Sequence, residues 1–431
     1  MTWRNWSGTV AVTPAEVLVP RDTAEVAAIV RRAAATGRRV TAVGAGHSFT
    51  PVAEARDVQL RLDRLTGIVA VEPEGRVRVR AGTRLRELSA LLATHGLALE
   101  NLGDIDVQTL AGALSTGTHG TGARFGGLAT QVVGLELVRG DGEVVRLGDG
   151  AGPPVEAAVV GLGALGIVTE VTLRCVPAFT LHAVEDVAPL DAVLEGLDER
   201  VAGHDHYEFY WFPHTERCLT KANTRHEGAR PQRPLPAWRR VLEDEVLTNA
   251  AYAVVNEAGR LRPAWVPGLN RLATRVLSRR EYDDVSPRVF ATSRRVRFVE
   301  SEYAVPRAAL PAVLAGLRAW VDGRPGAAVQ FPVEVRFAAA DDVWLSTAYG
   351  RETAYVAVHQ FHRSPAREYF RAFEAIALAH EGRPHWGKLH GLGAADLAGR
   401  YPRMGEVRAL REELDPGRVF ANGYRTRVLG R

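Results

Sequence analysis

Apolar residues recur along this chain at two spacings, and the switches between them outline the elements. Val26, Ile29, Val30 and Ala33 fall at helical intervals, Asp22 with Glu25 three residues on is a capping pattern, and Gly37 closes the run. The spacing predicts a helix over residues 22–36. Arg76-Val77-Arg78-Val79-Arg80 alternates strictly, as a half-buried strand does. Short strands are expected at 40–43, 57–62, 68–72 and 168–176, with a hairpin turning at Asp141-Gly142. Thr83 is expected to cap a helix running to His95. Glycine-rich segments at 44–49 and 101–127 interrupt this pattern, so residues 1–176 read as a mixed α+β domain.

After Pro177 the strands lengthen and polar residues alternate into them. Strands are expected at 206–212, 295–305, 331–337, 343–348 and 355–362, with helices at 307–320 and 365–380. That is the pattern of an antiparallel sheet backed by helices. Residues 228–236, rich in Pro and Arg, read as an irregular excursion, and a short helix is expected near 404–414.

The length of 431 residues exceeds one ordinary core, so two or three domains are expected. With 46% hydrophobic and 24% charged residues the composition is that of a globular protein. The longest apolar run, 157–168, is too short for a bilayer, and the N-terminal residues carry no signal pattern. A cytoplasmic protein is expected. Cys175 and Cys218 form no disulfide framework and have no neighbour at metal-ligand spacing, so no metal is expected. The net charge of +4 is scattered, which argues against nucleic acid. Of 54 basic residues only Lys221 and Lys388 are Lys. In a chain so biased to Arg, a surviving Lys marks a place where a proton can be lost, although chance retention is equally open.

Gly161-Leu162-Gly163-Ala164-Leu165-Gly166 matches the dinucleotide fingerprint in letters only. A β-branched run follows where a helix is required, so a nicotinamide site is rejected in favour of a tight turn. The loops 44–48 and 115–122 combine bare backbone with hydroxyls and together suggest an extended ligand with two phosphates. Each alone is better read as a ligand-free turn. His47, inside the first loop, reads either as a turn-capping surface His or as a nucleophile.

Three strings narrow these choices. VGAGHSFT (43–50), NLGDIDVQTLAGALSTGTHGTG (101–122) and GRPHWGK (382–388) resemble motifs of the aldonolactone oxidase and alditol oxidase family, within the vanillyl-alcohol-oxidase-type FAD flavoproteins. The likeness runs from Trp6 to the closing DPGRVFANGY (415–424). It implies a two-domain α+β fold: an FAD domain at 1–176, a substrate domain at 177–399 and a tail, 400–431, returning to the FAD domain. It also implies FAD attached covalently to His47. Val43, Gly44, Ala45, Gly46 and Ser48 would line the cofactor, with Gly103, Asp104, Thr109, Gly112, Thr116, Gly117, Thr118 and His119. Ile167 or Val168 would meet its adenine end, and His385 and Lys388 its ring.

Glu334 and Arg336 share one strand face, which by itself fits a surface ion pair. The resemblance gives Arg336 charge stabilisation and substrate binding, and Glu334 orientation. His359 fits a core His as well as a site His. The resemblance pairs it with Lys388 to assist proton removal, and a Lys beside a cation and an imidazole is expected to have a lowered pKa. Substrate contacts are expected from Asp104, Glu300, Glu334, Arg336, His359 and Phe361. Glu300 and Asp104 depart from the alditol-type pattern and point to a sugar-1,4-lactone of the L-gulono or D-arabinono type. The resemblance implies that the residue before Asp104 gates oxygen access to the flavin; Gly103 leaves room where Ala would crowd it, so oxygen is the expected acceptor. An alditol oxidase, a lactone dehydrogenase with another acceptor, and a flavin-free binding protein are the alternatives.

Overall fold

The computed structural model describes residues 2–148, 150, 152–226, 233–236, 249, 251–292, 294–324 and 326–431. The N-terminal part holds two sheets. β1 (Glu16–Leu18), β2 (Val40–Val43) and β3 (Val58–Arg61) form a parallel sheet in the order β1-β3-β2. Helix α1 (Thr23–Ala35) connects β1 to β2. The Asp22 side chain caps it by accepting from Glu25 N, and Val26, Ala27, Val30 and Ala33 face the core. Burying each such Val is worth about 1.5–3 kcal/mol.

The second sheet is antiparallel, in the order β7-β6-β8-β5-β4. It comprises β4 (Ile68–Val71), β5 (Arg76–Arg80), β6 (Val132–Val138), β7 (Val144–Leu147) and β8 (Ile167–Arg174). In β5 the two Val are buried and the Arg point outward, as the alternation requires. Helices α2 (Leu85–Thr94) and α3 (Leu110–Ser115) pack beside it. Thr83 does not cap α2. Arg84 takes that position, while the Thr83 hydroxyl accepts from Gly67 N and donates to Arg80 O, closing the turn before the helix. The 161–166 turn runs into β8, with no helix following.

The second part is built on one eight-stranded antiparallel sheet. Along the chain come β9 (Thr180–Pro189), β10 (His206–Trp211), β11 (Arg217–His226), helices α4 (Tyr252–Leu261) and α5 (Val266–Val276), and β12 (Arg280–Val285). β13 (Phe298–Pro306), α6 (Leu310–Asp322), β14 (Val333–Ala338), β15 (Thr353–Phe361), α7 (Arg367–Ala379) and β16 (Arg383–Pro384) follow. The strand order is β12-β9-β11-β10-β14-β15-β13-β16. Helices α6 and α7 cover one face, against Phe209, Tyr303, Val333, Val335, Val356 and Val358. The other face carries Glu208, Tyr210, Glu300, Glu302, Glu334, Arg336, Tyr355 and His359, and all but the part-buried Tyr210 are buried.

Residues 343–348 are turns and not the expected strand. The Asp341 carboxylate accepts from Val343 N at 3.1 Å and from the Ser346 hydroxyl at 2.6 Å, and such local bonds displace a ladder. Val343 and Leu345 are nonetheless buried, which explains their apolar spacing. Of the expected excursion, 228–232 lies outside the described residues, and Arg233 forms an antiparallel bridge with Asp283.

The chain ends in α8 (Met404–Leu414) and α9 (Gly423–Leu429). Both pack into the core of the N-terminal part. Between them the Asp415 carboxylate accepts from Val419 N and Phe420 N, and Val40 N donates to Val419 O, so the tail binds against β2.

Candidate active site

The loop after β2 is fixed from two sides. Trp6 N donates to Gly46 O, and Phe49 N donates to Gly387 O at 2.7 Å. The first and third sequence strings are therefore in contact. Gly46 sits at φ +72°, which favours glycine, and a Cβ on Gly44 would lie 2.2 Å from the Thr109 hydroxyl.

This loop separates two cavities. The smaller, about 100 Å³, is lined by residues 42–48, Thr109, Gly112, Thr116, Gly163, Ile167, Val168 and Arg425. The larger, about 520 Å³, lies between the loops and the polar face of the eight-stranded sheet. His47, Ser48, Gln108 and Thr116 border both. Gln108 Oε1 at this junction is buried without a partner. One narrow, glycine-lined cleft joined to a wider polar one suits an elongated ligand with a diphosphate at one end and a ring at the other.

The larger cavity is lined by Gly103, Asp104, Thr118, His119, Glu300, Glu302, Glu334, Arg336, Tyr355, His359, His385 and Lys388. Arg336 pairs with Glu334, reaches Glu208 at 3.0 Å and lies 3.5 Å from Asp104. Arg294 holds Asp104 at 2.6 Å. Burial opposes the Asp104 charge, but Arg294, Arg336 and Lys388 outweigh it and hold the carboxyl below its usual range. The Tyr210 hydroxyl donates to Glu334 at 3.2 Å. Burial raises the Glu334 pKa despite the neighbouring Arg336.

Lys388 Nζ sits 2.5 Å from Glu300 and 3.8 Å from Glu302. The expected lowering of its pKa is overturned. Burial favours the neutral amine, but Glu300 and Glu302 outweigh burial and raise the pKa. Lys388 is a fixed cation. Glu300 also lies 3.5 Å from His359 Nε2, so it bridges the expected His–Lys pair. His359 Nδ1 faces Pro332 O at 3.3 Å, which assigns the proton to Nδ1 and leaves Nε2 toward the carboxylates.

His47 stacks on Trp6, with ring centres 5.5 Å apart. Burial, helped by Lys388 and Arg84, lowers its pKa to about 4, so its imidazole is neutral at neutral pH. His119 stacks on Tyr355 at 3.5 Å and meets Glu302 at 2.6 Å. His385 Nδ1 accepts from Gly387 N, and Nε2 donates to Gly117 O at 3.2 Å. Burial lowers the His385 pKa to about 4. Donor atoms of His119, Glu302 and His385 lie within 4.8 Å of one another, but both His385 nitrogens are engaged by backbone.

Residues 14–148 match the FAD binding domain family, and residues 171–428 match the D-arabinono-1,4-lactone oxidase family. The L-gulono-1,4-lactone dehydrogenase of Mycobacterium tuberculosis is 44% identical, over 99% of this chain and 99% of its own length. The chain belongs to the D-arabinono-1,4-lactone oxidase family. The L-gulonolactone oxidase of Scyliorhinus torazame, another relative, is 32% identical over 98% of this chain and 97% of its own. In fold, the family member resembles the cholesterol oxidase from B. sterolicum, with a TM-score of 0.81, 20% identity and coverage of 99% and 96%. The chain is an FAD-dependent oxidoreductase with the two-domain architecture of the vanillyl-alcohol-oxidase-type flavoproteins. No helix among the described residues is long and apolar enough to cross a membrane.

The structure brings every expected family site residue to one of the two cavities or against it, except Phe361. That residue packs with Phe49, Val296, Phe298 and Phe331 and does not border either cavity. Strand alternation places its side chain on the His359 face, but it lies beyond the rim. Gly117 contributes its carbonyl to His385. The sequence reading misses Glu302, Arg294, Glu208, Tyr210 and Tyr355. Glu302 and Tyr355 were within reach, since each sits two or four residues from a named site residue on the same strand face. Arg294 lies in a loop where no periodicity operates.

Proposed function

We propose that this enzyme oxidises a CH–OH carbon of an aldono-1,4-lactone, of the L-gulono or D-arabinono type, with FAD bonded to His47 and oxygen as final acceptor. FAD, when bound, supplies the hydride acceptor. The observation that carries the reading is the shared cavity: His47 and the Arg336–Glu334–Asp104 cluster border one space. Residues 1–176 with 400–431 would form the FAD domain and 177–399 the substrate domain, in a cytoplasmic enzyme.

The residues divide the work. Val43 to Ser48, Thr109, Gly112, Thr116, Ile167 and Val168 hold the diphosphate end, and Gly103, Thr118, His119, His385 and Lys388 surround the ring. A neutral His47 keeps a lone pair available for the bond to the cofactor. Arg336, fixed by Glu334 and Glu208, binds the substrate and stabilises developing negative charge. His359 takes the hydroxyl proton at Nε2, while Glu300 and Glu334 orient the sugar hydroxyls. Lys388 keeps the ring edge positive. An added Cβ on Gly103 would press on His119 O at 3.2 Å and Thr118 Cγ2 at 3.3 Å, so this glycine serves the close approach of the two loops, and oxygen as acceptor rests on the family resemblance alone.

A dehydrogenase is the second reading, and the mycobacterial relative's name favours it. Gulonolactone, galactonolactone, arabinonolactone, xylitol and sorbitol, each assayed with oxygen and with a dye acceptor, separate these readings. Turnover of polyols alone sinks the lactone assignment. Dye-dependent turnover without oxygen uptake sinks the oxidase.

A further inference from the structure

Three-ligand clusters of His and carboxylate occur twice among the described residues. His119–Glu302–His385 belongs to the cavity already described. His182, His226 and Asp283 lie on the outer strands of the large sheet, and none of them borders that cavity.

Register places them together. β9 lies between β11 and β12. His182 on β9 is paired directly with Asp283 on β12. Thr180, two residues earlier on the same face of β9, is paired with His226 on β11. All three side chains therefore emerge on one face. Asp283 Oδ1 lies 3.1 Å from His182 Nδ1 and 3.6 Å from His226 Nε2. The two rings are 5.9 Å apart at 50°, so they converge on the carboxylate without stacking. The side chains are 18–30% exposed, so water and ions reach them without opening the core. Glu281, also on this face, brings a carboxylate to 3.6 Å from His182 Nε2 while pairing with Arg279 at 2.8 Å.

We propose that His182 Nδ1, His226 Nε2 and the Asp283 carboxylate form a binding site for a zinc-class divalent cation, with water as fourth ligand. Tetrahedral zinc with bonds of about 2.0–2.1 Å holds its N and O ligands about 3.3 Å apart, close to the spacing already present. Two imidazoles and one carboxylate suit zinc or copper(II), and two nitrogens disfavour calcium and magnesium, which take oxygen. The ion would cross-link three strands, including the edge strand β12 and through it the Arg233 bridge, which makes the site structural. It is independent of the lactone reading.

Zinc titrated calorimetrically into the FAD-loaded enzyme tests it. One equivalent is expected to bind, with affinity at least about tenfold weaker in His182→Ala and in Asp283→Ala. The melting temperature of the wild type should rise with zinc, and that of His182→Ala should not. Both variants should keep wild-type substrate turnover, which reports that they fold. Binding only at millimolar zinc, or equal binding by the variants, overturns the site. So does zinc that abolishes turnover equally in wild type and His182→Ala, because the ion then sits at His119, Glu302 and His385.

Discussion

At the scale of single residues, the site depends on charges that burial would suppress if they were alone. Arg336 is the sharpest case: Glu334, Glu208 and Asp104 all lie within 3.5 Å of it or closer. Arg336→Ala is expected to slow flavin reduction at least about tenfold, measured by stopped-flow absorbance. A wild-type rate in that variant would refute the role given to Arg336. His47→Ala is expected to leave flavin that acid precipitation releases, whereas the wild type should precipitate yellow. Lys388 carries a pH prediction. Its folded pKa is raised above the ordinary 10.5, mainly by Glu300 against the opposing effect of burial. Its charge therefore supports folding and the site below that value, and is lost only as pH rises through the higher folded one. No alkaline limb from Lys388 is expected below pH 10. Glu300→Gln should bring such a limb down in the pH profile of flavin reduction, and an unchanged profile contradicts the pairing.

At the scale of elements, local chemistry explains both what the sequence reveals and what it conceals. Strict alternation in residues 76–80 and the Asp22–Glu25 cap are visible because each is decided within a few residues. The 343–348 segment misleads because Val343 and Leu345 are apolar at strand spacing, yet Asp341 has captured the backbone. Asp341→Ala should cost about 1–2 kcal/mol in urea unfolding, and no change would mean the turn holds without it. Helices α4 and α5 escape the reading since their exposed Val254, Leu261, Leu272 and Val276 blur the apolar stripe. For the site, the glycine loops and the E-x-R pair are legible, and the resemblance joins them. Arg294 is not legible, because its meeting with Asp104 spans 190 residues and depends on the closed fold.

For the whole molecule, residues 404–429 pack into the core of the N-terminal part and are not an appendage. Tyr424 donates to Trp386 O, and Arg425 donates to Leu162 O and Phe420 O beside the smaller cavity. Residues 1–399 expressed alone should therefore be insoluble or lack absorbance near ~450 nm, the flavin band. A soluble, yellow fragment would show that the tail is dispensable.

The buried polar face of the large sheet has an evolutionary reach. Across β14, β15 and β13, alternate side chains including Glu334, Arg336, Tyr355, His359, Glu300 and Glu302 border the larger cavity, while their neighbours in sequence hold α6 and α7. Chemistry and folding thus occupy separate, interleaved alphabets. On the proposed function, a library at 300 and 334, each exchange keeping Lys388 and Arg336 paired, is where a change of sugar preference should be sought, with Arg336 and His359 held for their roles in the reaction.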